Sequence, residues 1–70
     1  MGTLLITCDF TDGVQVLIKR SATQDDVDAI RAALEHDPDT ILQIGCQATP
    51  GSPEHPWMIR AGLITGLEWA

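Results

Sequence analysis

Only one stretch of this chain carries apolar residues at helical spacing, residues 23–36, "TQDDVDAIRAALEH"; every other patterned stretch alternates with a period of two. A single amphipathic helix covers one face of one sheet, so the second face of that sheet is left to solvent or to something else. Val27, Ile30 and Leu34, with Ala33 beside them, form the apolar stripe, while Asp28, Arg31 and Glu35 lie off it. Ser21 or Thr23 is placed to cap the helix, with Gln24 or Asp26 three residues on in capping-box spacing. Asp25, Asp26 and Asp28 set negative charge against the positive end of the helix dipole, and Pro38 stops the helix near His36 or Asp37.

The strands follow from the period-two stretches. In "TLLITCDF", residues 3–10, Leu4, Ile6, Cys8 and Phe10 alternate with Leu5, Thr7 and Asp9. "TDG" then supplies a turn, with Gly13 free to take a positive φ, and Val14, Val16 and Ile18 resume the alternation against Gln15, Leu17 and Lys19. A β-hairpin over residues 3–19 is predicted. "TILQIGC", residues 40–46, reads as a third strand with Leu42, Ile44 and Cys46 on one side and Ile41, Gln43 and Gly45 on the other. "QATPGSPEHP", residues 47–56, holds three prolines and a glycine and reads as loop. The closing region, residues 57–69, offers a strand over 63–69 preceded by a short extended lead-in at 57–60. The expected fold is α+β in one domain, 1–70: a four-stranded, mainly antiparallel sheet with one helix on one face, in the order β-β-α-β-β.

With the helix on the side of Leu4, Ile6, Cys8, Val14, Val16, Ile18, Leu42 and Ile44, a half-solvated sheet has polar residues on its other side. Here that side receives Leu5, Leu17, Ile41 and Ile64, one aliphatic residue from each strand; Leu63, Leu67 and Trp69 replace Ile64 if the last strand faces the other way. Scattered surface aliphatics are ordinary, but four side by side make a patch of a few hundred Å², the size at which an exposed patch marks an interaction site. A chain of 70 residues buries only roughly 60% of the surface its unfolded form exposes, so association is a natural source of stability. Both tryptophans, Trp57 and Trp69, fall in the C-terminal region. They are expected either as aromatic anchors of an interface or as caps on the domain's own small core.

Ten acidic residues against four basic ones give a net charge of −6, which disfavours direct binding to nucleic acid or anionic membranes. No apolar run has the length of a membrane helix, and residues 1–6 lack the basic start of a signal peptide, so a cytoplasmic protein is expected. Cys8 and Cys46 are too few for a secreted disulfide scaffold and are expected as packed thiols. With His36 and His55 they supply zinc-type atoms, a third reading, but no two lie at the short paired spacing of zinc sites, so no metal or cofactor is assigned. Asp25, Asp26 and Asp28 are better read as helix-stabilising than as a carboxylate site. His55, between Glu54 and Pro56, reads as a loop histidine, and "TPGSPEHP" lacks the lysine and following helix of a phosphate loop. No catalytic motif is present in the residues.

The hairpin turn "FTDG", the helix "DDVDAIRAAL" and the closing "ITGLE" (Ile64, Thr65, Gly66, Leu67 and Glu68) resemble short uncharacterised ββαββ reading frames of bacteria and their phages. The resemblance lies in element order and turn chemistry, carries no catalytic residue, and implies a small accessory or host-interaction protein. The longer proline-rich loop over 47–56 departs from it, and an exposed, proline-stiffened loop suits partner recognition as well as mere connection. The expectation is a non-catalytic homo-oligomer, a dimer or larger, that acts through protein contacts, with a heterologous protein as a further partner. Leu5, Leu17, Ile41 and Ile64 are the expected contact face and Trp57 and Trp69 its anchors. The alternative is a small-ligand protein whose pocket lies between subunits, with His55, Trp57 and Arg60 at its rim and an anionic or aromatic ligand held there.

Overall fold

The hairpin at the N-terminus closes as tightly as two residues allow. In a computed structural model, which describes residues 2–70, β1 (Gly2–Phe10) and β2 (Gly13–Ala22) pair antiparallel with Phe10 opposite Gly13, so that Thr11 and Asp12 alone make the turn. Gly13 sits at φ 137°, a conformation that side chains with a Cβ rarely adopt. A two-residue turn makes the paired residue numbers sum to an odd value: Leu5 faces Ile18, Ile6 faces Leu17 and Thr7 faces Val16. Directly opposite residues share a face, so the even residues of β1 lie with the odd residues of β2. Leu17 therefore joins Leu4, Ile6 and Cys8 in the interior, and all four are fully buried. Val14, Val16 and Ile18, expected beside Leu4 and Ile6, fall on the outer face with Leu5. A one-residue change of register moves every side chain of a strand to the other face, and that is the whole of this correction.

The helix is where its local chemistry puts it. α1 (Gln24–His36) starts at the N-cap Thr23, whose hydroxyl accepts from the Asp26 N–H while the Asp26 carboxylate accepts from the Thr23 N–H, a complete capping box. Val27 and Ile30 are its buried residues, and Leu34 packs partly against the same core. Just before the cap, Ser21 takes the left-handed φ of 54° as the extra residue of an irregularity in the β1–β2 ladder.

The expected single four-stranded sheet is instead two sheets. A three-stranded sheet runs in the order β2-β1-β5, and β3 (Ile41–Cys46) pairs only with β4 (His55–Arg60). One antiparallel bridge joins them, with Ile18 N–H donating to Gln47 O at 2.9 Å and Gln47 N–H to Ile18 O at 2.7 Å. Beyond that bridge β2 and β3 part. The C-terminal region makes two strands because a 3-10 turn, Ala61–Leu63, intervenes. Its Ala61 and Gly62 N–H groups donate to Thr40 O and Pro38 O, which turns the chain so that β5 (Ile64–Trp69) pairs antiparallel with the far edge of β1. The proline-rich segment is also shorter than expected. Gln47 is in the bridge, and His55 and Pro56 already belong to β4, an edge strand where proline's missing N–H costs nothing.

Both sheets turn their inner sides, with α1, onto one core: Leu4, Ile6, Cys8 and Leu17 from the first sheet, Val27 and Ile30 from α1, and Ile44, Cys46 and Ile59 from the second. Ile64 of β5, 6% exposed, belongs to it as well. Among the described residues no helix is long and apolar enough to cross a membrane.

Candidate functional site

The outer side of the three-stranded sheet is apolar along β2. The cross-strand pairs Leu5–Ile18, Thr7–Val16 and Asp9–Val14 place four aliphatic side chains there, and β5 adds only Gly66 beside Thr7 and Glu68 beside Leu5. Val14 is 68% exposed and Val16 43%. The face has polar ends: Asp9 at one, and at the other Arg20, whose Nε donates to Gln47 Oε1 at 3.2 Å while Gln47 Nε2 donates to Ser52 O. The edge is open at the same place. Backbone groups on an antiparallel strand alternate between its two edges, and those of Ile18 point away from β1 toward Gln47, so those of Val14 and Val16 point outward too. Among the described residues neither has a backbone partner on that side.

Of the contact face expected from the sequence, only Leu5 lies on this side. Leu5 is half-buried on it. Leu17 and Ile64 are interior and contribute nothing to it. Ile41, 52% exposed, sits on the outer side of the other sheet opposite Arg60. Val14, Val16 and Ile18 take the places given to Leu17. The signal that identifies them is the turn length, since a two-residue closure at Thr11 and Asp12 sets the parity of the whole hairpin. Neither tryptophan anchors this face. Trp69 lies opposite Leu4 at the rim of the inner side, and Trp57 packs against the chain's own core.

A second feature opens where the two sheets diverge. A groove of about 540 Å³ runs between residues 10–15 at the tip of the hairpin and Trp57, Met58 and Leu63. Phe10 and Gln15 reach it from the inner side of the hairpin, and Trp57 from β4. The His55 and Trp57 rings lie on the same side of β4 with centroids 5.1 Å apart, tilted by 30°. Arg60 stands on the opposite side of that strand, and of the expected rim of His55, Trp57 and Arg60 only Trp57 lines the groove. Among the described residues Asp12 is the one ionisable residue lining the groove. The buried Trp57 Nε1 has no hydrogen-bond acceptor among the described residues.

The remaining chemistry-bearing residues are dispersed. Cys8 and Cys46 are free thiols in the core. Burial raises both pKa values, that of Cys46 to about 11, with Glu54 and Cys8 adding to the effect and Lys19 opposing it. They are protonated at neutral pH and poor nucleophiles. Among the described residues no three His, Cys, Asp or Glu side chains gather as a cation site. Asp26 has a lowered pKa, chiefly because the Thr23 N–H donates to it, as befits a capping residue. No protein-family model, curated protein or solved structure matches the chain.

Proposed function

We propose that the protein is non-catalytic and acts through protein contacts, self-associating over the outer side of its three-stranded sheet, as a modulator of another protein. The observation that carries this reading is the hairpin register. It spends Leu17 on the core and leaves Leu5, Val14, Val16 and Ile18 contiguous on a side that neither the helix nor the second sheet covers. β-branched residues at 68% and 43% exposure, beside unpaired strand-edge groups, are what monomeric sheets avoid and what strand or face association uses. The polar ends, Asp9 and Arg20, carry opposite charge, which suits an antiparallel arrangement of two copies.

Light scattering over a dilution series, on the wild type and on Val16→Glu, tests this. The expected result is a wild-type assembly that Val16→Glu converts to folded monomer, because the substitution places a charge in the middle of the face without touching the core. A wild type that is monomeric throughout, or an assembly indifferent to Val16→Glu, refutes the reading. Leu17→Glu is no test of it, since a charge there unfolds the chain.

A further inference from the structure

We infer that the groove between the hairpin tip and β4 is a binding site for a small organic cation with an aromatic or apolar body. The inference does not rest on self-association, since all of the groove's walls come from one chain, although Val14 belongs both to the groove and to the proposed contact face. Its volume, about 540 Å³, lies within the range of small-molecule sites, roughly 300–1,000 Å³. Its walls bring two aromatic rings, Phe10 and Trp57, together with the side chains of Met58 and Leu63. Such walls take an apolar body, and the rings attract a cation to their faces.

Charge selects the sign. Among the described residues Asp12 is the only charged lining residue, and none of Lys19, Arg20, Arg31 and Arg60, the four basic residues of the chain, lines the groove. Asp12 is one of the two residues of the hairpin turn and lines the groove there. The chain as a whole carries −6. An anion approaching this groove meets a carboxylate, a negative overall field and no compensating cation, whereas an ammonium group finds a carboxylate beside aromatic rings. This reverses the ligand expected from Arg60, which stands on the other side of β4. The polar neighbours, Thr11 and Gln15, leave room for an ammonium group to keep hydrogen bonds as it sheds water.

The test uses three probes of one shape and different charge: 2-phenylethylammonium, 2-phenylethanol and phenylacetate. They are titrated into a Trp69→Phe variant, so that Trp57 alone reports, and binding is followed by its emission and by the backbone amide shifts of residues 10–15. Saturable binding of the ammonium is expected, about tenfold tighter than the alcohol, with phenylacetate weakest. Asp12→Asn, which suits the turn as well as aspartate does, should bring the ammonium down to the level of the alcohol. Circular dichroism of each variant certifies that it is folded. Equal affinity for ammonium and alcohol in the wild type, or an ammonium preference that survives Asp12→Asn, overturns the charge assignment. Absence of saturable binding of any probe up to about 20 mM, weaker than about −2.3 kcal/mol, overturns the site.

Discussion

Adjacent residues on β2 separate the two registers that the hairpin could adopt. Leu17 is 0% exposed, facing Ile6 in the core, and its neighbour Val16 is 43% exposed on the outer side. Leu17→Ala deletes three carbons. At about 0.8 kcal/mol for each buried methylene-sized group this costs about 2.4 kcal/mol, and the cavity left behind raises the loss to about 3 kcal/mol. A 70-residue domain has a total stability of only about 4–10 kcal/mol, so this one change removes a third or more of it and lowers Tm by about 15 °C. Val16→Ala removes two carbons from a half-solvated position and should cost under about 1 kcal/mol. Urea unfolding followed by circular dichroism measures both, at a protein concentration low enough that association adds nothing to the difference. Were Val16 inside and Leu17 outside, as strict alternation from Leu4 across the turn suggests, the order of the two losses would invert. A Val16→Ala loss equal to or larger than that of Leu17→Ala therefore refutes the register and, with it, the outer face built from Val14, Val16 and Ile18.

Two further outcomes follow from the titratable groups. The Asp26 carboxylate is held below its ordinary pKa chiefly by the Thr23 N–H, so its contribution is present above the unfolded-state pKa of about 3.9 and is lost as pH falls through the lower folded value. Asp26→Asn should accordingly lower Tm at neutral pH by an amount that shrinks as acid protonates the wild-type carboxylate; a difference that stays constant down to pH of about 2 contradicts this linkage. Cys8 and Cys46, buried and with raised pKa values, should react with an aromatic disulfide reagent at mildly alkaline pH only once urea has unfolded the chain. Stoichiometric labelling of either thiol in the native state would show that the core around it opens readily.

What the residues determined by themselves is the local structure. Thr23 and Asp26 make a capping box from groups three residues apart, Val27 and Ile30 bury the apolar stripe of α1, and Gly13 accepts the positive φ that the hairpin needs. Each of these depends on neighbours in the chain, so it is legible from a short window. The succession of period-two strands with a single helix after the first two was equally legible, and with it the α+β class.

Tertiary structure alone decided which residues occupy the outer sheet face and how many sheets there are. Alternation along β2 is the same whether its even or odd residues face inward; choosing between them takes the pairing with β1, where a two-residue turn sends Leu17 in and Val16 out. The division into two sheets hangs on one bridge, Ile18 to Gln47, and on the Ala61 and Gly62 bonds to Thr40 and Pro38 that swing β5 across to β1. The groove exists because of that division, since Asp12 and Trp57 lie far apart in sequence and become its opposite walls only where the hairpin tip and β4 separate. Hydrogen-bond pairing between distant strands is a choice among alternatives of similar local energy, and it is settled by which arrangement buries the aliphatic side chains of both sheets and the helix together.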